Sequence, residues 1–327
     1  MTVFNILCIG QAERLQYEAV LLAASLRAQS PGFQGRLLIA TPRPGPLWGG
    51  EDPRITDPAT LDLLADLGAE IVPFDSRAFG ARYPHGNKIE ALAHIPDEPF
   101  LFLDTDTIIT GDIATLAPDF TKPSASMKRE GTWPQIELYG PGYTEIWQSL
   151  YRRFGLDFET SLDPGQPDEY WQRYLYFNAG WFLHESPRRF GDLFLRFATE
   201  IAADPGPELV CQSLDPWLDQ VALPLVIHAL GGGRPGPDLA GLDGALTCHW
   251  RILPLFFARE SDHAVAVMEQ IAADKRIERV LRHYAPFKKM LYKGEGRQVR
   301  ALFDRADLPR KEQAIRNAIK RAGLWTR

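Results

Sequence analysis

What this sequence has little of narrows it first. It holds 3 cysteines in 327 residues. Cys8, Cys211 and Cys248 stand far apart, with no CxxC pair and no zinc spacing, so a disulfide framework is excluded and a reducing compartment is the simple reading. Basic residues are the minority, 36 against 42 acidic, and the net charge of −6 argues against a general nucleic-acid binder. No apolar run approaches the roughly 18–20 residues that a membrane span needs. The opening "MTVFNILCIGQAERLQ" has an apolar run but no basic leader region and no small-residue cleavage site, and it reads as a first strand. These absences leave a cytoplasmic, globular protein as the expectation.

What is present is enough apolar material, 45% of residues, for a sizeable core. "VFNILCIG", "GRLLIATP", "EIVPFD" and "PFLFLDTD" read as buried strands. "EAVLLAASLRAQ", "PATLDLLADLGA" and "NKIEALAHI" between them read as helices. That alternation predicts an α/β fold with a parallel sheet flanked by helices, whose ligands bind outside the carboxyl ends of the strands. After about residue 115 the pattern changes to a Pro-, Gly- and Trp-rich stretch. The aromatic run "YLYFNAGWFLH", the helix "RRFGDLFLRFATEIAA", and then "LDQVAL", "CHWRILPLFF" and "RHYAPFKKML" follow. No linker divides the chain, so residues 1–292 are expected to form one domain, with a first half to about 115 and an elaborated second half over about 116–292, followed by a basic helical tail over 293–327.

The segment "FLFLDTDTIITGDI" carries the chemistry. In extended backbone residues i and i+2 face the same side, so Asp104 and Asp106 converge while Thr105 turns away. Two such carboxylates suit a hard divalent cation. The ordinary alternative is a turn cap beside a solvated acid. "DTDTI" also resembles the D-x-D-x-T/V run of haloacid dehalogenase-type phosphatases, in which the first Asp is a nucleophile. That chemistry needs a late acidic pair, and "GDLFLRFA" does not supply one. A nucleotidyltransferase would need a Gly-rich loop after strand one, where "GQAERLQ" has a single glycine. Asp112, ahead of "IATLA", reads as a helix cap, and "GGGRPG" as a loop and not a phosphate cradle.

Taken in order, "NKIEALAHIPDEPFLFLDTDTIITGDI", "YFNAGWFL", "LDQVAL" and "RHYAPFKKML" resemble the motifs of the GT-A glycosyltransferases, in particular family 8, the glycogenin and lipopolysaccharide glycosyltransferase type. The resemblance implies a Rossmann-like mixed sheet flanked by helices. It implies Mn²⁺ or Mg²⁺ held by Asp104, Asp106 and His283, with His249 of "TCHWR" as the fallback ligand. Lys88, Thr105, Asn178, Ala179, Gly180 and Lys289 would contact the donor, and Asp219 and Gln220 would lie beside the transferred sugar. Gly180 would let the sugar approach the backbone closely. The activity implied is transfer of a hexose from a nucleoside diphosphate sugar, a UDP-sugar foremost, to a glycan, lipid-linked or other hydroxyl acceptor, with retention of configuration. Two departures stand out. Pro286 replaces the family's Gly in the last motif, and Met290-Leu291 replaces its Pro-Trp, which leaves a GT-A domain that binds nucleotide sugar without transferring it as the non-enzymatic alternative. The tail places Ala314, Ile315, Ala318, Ile319 and Ala322 on one helical stripe. Either that stripe docks on the protein's own surface, or it rests on an anionic membrane.

Overall fold

The computed structural model describes residues 2–128 and 133–326. Eight strands are present among them: β1 (Asn5–Ile9), β2 (Leu37–Pro42), β3 (Ala69–Phe74), β4 (Phe100–Leu103), β5 (Thr107–Ile109), β6 (Ser124–Ser126), β7 (Asn178–His184) and β8 (Thr247–His249). Six of them form one sheet in the order β3-β2-β1-β4-β7-β6, while β5 and β8 form a separate two-stranded ladder. The first four strands in chain order, β1 to β4, run parallel. The sheet is mixed, because β7 pairs antiparallel with β4 and β6 antiparallel with β7.

The parallel strands are apolar on both faces for a reason visible in their period-two alternation. Ile6, Cys8, Leu101 and Leu103 face one core, and Leu7, Ile9, Phe100 and Phe102 the other. Among the described residues the helices include α1 (Arg14–Gln29), α2 (Pro58–Asp66), α3 (Asn87–Glu90), α4 (Tyr143–Arg153), α5 (Pro187–Ala203), α6 (Leu218–Ala229), α7 (Leu253–Arg259), α8 (Asp262–Ala272) and α9 (Lys275–Leu281). Their starts follow ordinary capping chemistry. The Asp57 carboxylate accepts from Thr60 N–H ahead of Pro58, and Ser186 Oγ from Arg189 N–H ahead of Pro187. Along α5, Phe190, Phe194, Phe197 and Ile201 recur at helical spacing and are buried against the sheet.

The tail forms a helix over Glu312–Arg321 whose Ile315 and Ile319 are buried in the same core as α7. Arg259 reaches Glu312 at 2.6 Å, and Trp325 lies under Arg316 and Lys320. The two isoleucines of the tail's apolar stripe are therefore covered by the chain's own body, while Ala314 and Ala322 at its edges are exposed. Among the described residues no helix is long and apolar enough to cross a membrane.

Candidate active site

The Asp104-Thr105-Asp106 run is the corner at which the chain leaves the large sheet for the small ladder. Asp104 N–H donates to Gly180 O on β7 at 2.8 Å, and Asp106 O accepts from Trp250 N–H, just past β8, at 2.9 Å. The ladder sets Thr107 opposite His249. The backbone of each aspartate is thus anchored to a different later segment.

From β8 comes an imidazole. His249 Nε2 lies 3.1 Å from Asp106 Oδ1 and 3.8 Å from Asp104 Oδ2. Asp104, Asp106 and His249 offer ligand atoms all within 4.8 Å of one another. Two carboxylates and an imidazole are a donor set that could hold a divalent cation. The expected ligand His283 is elsewhere. It sits exposed just past α9, where its backbone N–H closes the helix on Val280 O. Lys289 is exposed too. Its segment turns Met290 into the core and leaves both lysines, 288 and 289, outward.

Lys88 does enter the site. Its Nζ is buried between Asp104 Oδ1 at 2.9 Å and Asp219 Oδ2 at 3.4 Å, and it donates to Ala179 O at 3.1 Å. Burial pulls the ammonium's pKa down, but Asp104 and then Asp219 outweigh it, and the result lies above the usual lysine range. Asp106 is likewise buried, which by itself would raise its pKa. The neighbouring His249, then Arg14 and Lys88, hold it far below the usual carboxylate range instead. Asp106 is thus kept ionised, as metal ligation requires.

Tyr83 was not foreseen. Its hydroxyl donates to Asp219 Oδ1 at 2.8 Å and accepts from Asp219 N–H at 2.9 Å. Burial, followed by the Asp219 charge, pushes the phenol well above its ordinary pKa, so it stays a hydrogen-bond donor. Nothing in "RYPHGNK" marks it, because its partner is 136 residues away. Glu18 was also missed. It lies buried on α1 and takes the Thr105 hydroxyl at 3.4 Å. Thr105 therefore directs its hydroxyl to α1 and away from the point on which the two aspartates converge.

A cleft of about 280 Å³ opens over these groups, lined by Lys88, Asp104, Asp106, Asn178, Asp219, Gln220 and His249 among others. Gln220 is fixed by Tyr176, whose hydroxyl donates to Oε1 at 2.8 Å. Asn178 binds backbone at both ends: Oδ1 accepts from Gly180 N–H and Nδ2 donates to Lys128 O, both at 2.9 Å. Gly180 has a different role from the expected one. A Cβ there would stand 2.3 Å from His249 Nδ1. The missing side chain makes room for the imidazole. Asp112 is the expected cap, accepting from Ala114 N–H at 3.1 Å.

A mixed six-stranded sheet, an Asp-x-Asp corner at the carboxyl end of its fourth strand and a polar cleft beside it define a GT-A glycosyltransferase. The family follows from the sequence itself. The family model described as a Rhodobacterales glycosyltransferase domain matches residues 6–231, and the chain belongs to that family. This removes the phosphatase reading of "DTDTI".

Solved structures similar to the chain are glycosyltransferases as well. LgtC, a galactosyltransferase solved in complex with donor and acceptor sugar analogues, is 14% identical over 95% of this chain and 100% of its own, with a TM-score of 0.43. The bifunctional glycosyltransferase WbbM is 12% identical over 89% of this chain and 51% of its own, with a TM-score of 0.47. GlyE of Streptococcus pneumoniae is 11% identical over 88% and 65%, with a TM-score of 0.44. No curated protein matches.

Proposed function

We propose that the chain transfers a hexose from a nucleoside diphosphate sugar, a UDP-sugar foremost, to a hydroxyl of a glycan or similar acceptor, using Mn²⁺ or Mg²⁺ and retaining the anomeric configuration. The observation that carries this is the convergence of Asp104, Asp106 and His249 within 4.8 Å on the wall of the polar cleft. Those three would hold the cation. When bound, it supplies Lewis-acid stabilisation of the charge that grows on a departing diphosphate.

The other residues orient. Tyr83 fixes Asp219, and Asp219 with Asp104 fixes Lys88, so the ammonium is held rigid before substrate arrives. Tyr176 holds Gln220 by its carbonyl oxygen, which leaves its amide N–H groups for sugar hydroxyls. The three carboxylates lining the cleft are engaged, Asp104 and Asp219 by Lys88 and Asp106 by His249. None stands free as the base that inversion would ask of a carboxylate. A departing phosphate oxygen is then the acceptor of the proton, on the same face as the incoming hydroxyl, which gives retention.

Asp106→Asn tests the metal assignment. Donor hydrolysis or transfer with added Mn²⁺ should fall by roughly 10²–10³-fold. Unchanged turnover in that variant would sink it. Which nucleotide is used is read from a thermal-shift screen of UDP-, GDP- and CMP-sugars with and without Mn²⁺.

A further inference from the structure

Among the described residues, three other than glycine have backbone φ in the left-handed region: Glu13 at 61°, Glu169 at 55° and Arg251 at 57°. Glu169 has a local explanation, since its carboxylate caps the start of α4 through the Tyr143 and Thr144 N–H groups. Arg251 is different. Ile252 N–H bonds back to Trp250 O at 2.6 Å, so Arg251 is the centre of a three-residue turn. With positive φ at its centre, this is the strained mirror of the common inverse γ-turn. Glycine would adopt it without penalty. The chain has arginine there.

The turn is also placed with precision. Trp250 N–H is bound to Asp106 O, and His249 immediately precedes it. The turn therefore belongs to the same rigid corner as the carboxylate pair. Arg251 lines the cleft that holds Lys88, Asp104 and Asp106, and also a second cavity of about 590 Å³ on its other side, walled by Trp250, Tyr284 and Phe287. Strain held at a site wall is a sign of function when the residue bears the relevant chemistry. Here the chemistry is a permanent cation with a planar, bidentate donor set matched to phosphate oxygens.

We infer that Arg251 is the donor-binding cation of the C-terminal half: its guanidinium, held at the cleft by the strained turn, binds the diphosphate of the nucleotide sugar. This deepens the proposed function and rests on it. It gives Arg251 the role that Lys289, exposed and outside the cleft, does not fill.

The test uses Arg251→Gly and Arg251→Lys in the full chain, with UDP, GDP and CDP titrated calorimetrically in Mn²⁺. Glycine relieves the turn, so the melting temperature should hold or rise while affinity for the preferred nucleotide falls roughly tenfold to a hundredfold, the worth of a charge-assisted hydrogen bond. Lysine should recover part of that loss. Affinity within about twofold of wild type in Arg251→Gly overturns the inference while leaving the donor reading intact. A lowered melting temperature together with weaker binding overturns it too, because the turn would then be structural. If the wild-type chain binds none of the three nucleotides, both readings fall.

Discussion

Two segments of the C-terminal half look alike in sequence. Cys248–Ile252 and His283–Lys289 each set a histidine among aromatic and apolar residues with a cation close by. In the fold they have nothing in common. The first begins in a strand paired to β5, so its histidine meets Asp106 at 3.1 Å. The second begins where α9 ends, with its histidine in solvent. A ligand is made by what the chain brings opposite it, and spacing within a motif does not reveal that. The sharpest break of the comparison is to remove each histidine. His249→Ala should lower Mn²⁺-dependent turnover by roughly 10²–10³-fold, and His283→Ala should leave it within about twofold. Steady-state rates over a Mn²⁺ series decide between them, and loss of activity in His283→Ala alone would reverse the assignment.

The same contrast explains what was legible beforehand. Lys88, Asn178–Gly180 and Asp219–Gln220 stand out only through the family resemblance, whereas the strand–helix alternation and the Asp-x-Asp corner announce themselves locally, through apolar runs and motif spacing. The antiparallel insertion of β7 beside β4 does not, because apolar strands of either direction read alike. Tyr83, Glu18 and the choice of His249 over His283 depend on pairings of 136, 87 and 143 residues. Such contacts leave no periodic trace in a single sequence. The "GGGRPG" run and Asp112 read correctly because turn and cap chemistry is local.

Two glycines extend the comparison at smaller amplitude. Gly180→Ala puts a methyl 2.3 Å from the His249 ring and must turn it away from Asp106. The apparent Mn²⁺ affinity should drop by about 10–100-fold, as when a ligand loses its orientation. Gly294, beyond the second segment, has φ of 77° and nothing within 4 Å of an added Cβ. Gly294→Ala should therefore cost about 1 kcal/mol of stability from backbone strain and leave Mn²⁺ dependence untouched. Equal effects on metal affinity from both substitutions would mean that the ring's position does not matter.

The tail sharpens the point that the far C-terminal half supports the structure and lies away from the cleft. Ile319 is fully buried beside Ile315 in the core shared with α7. Ile319→Ala should destabilise the fold by about 2–4 kcal/mol, read by chemical denaturation, with nucleotide affinity unchanged at low temperature. The largest side chains of the stripe that would face an anionic membrane, Ile315 and Ile319, are docked here. Vesicles of anionic lipid should therefore bind wild type no better than a variant in which Lys320 and Arg321 are neutralised.

The smallest effect belongs to Glu18, on the N-terminal side of the corner. Burial first, then the charges of Asp106 and Asp104, push its carboxyl well above the ordinary range, and Arg14 offsets this only in part. In the unfolded chain the same group titrates near its usual value. Below that value both states are protonated, and the contribution to stability is fully present. As pH rises past it the unfolded state gives up the proton and the folded state keeps it, so the contribution is lost progressively up to the folded pKa. Glu18→Gln keeps a neutral amide in place of the neutral acid and removes this penalty. Its melting temperature should match wild type near pH 4 and exceed it increasingly toward pH 8, measured without added metal. A difference that is constant across that range would show that Glu18 is ionised in the folded protein, and that the ion pair with Arg14, at 3.5 Å, outweighs its burial.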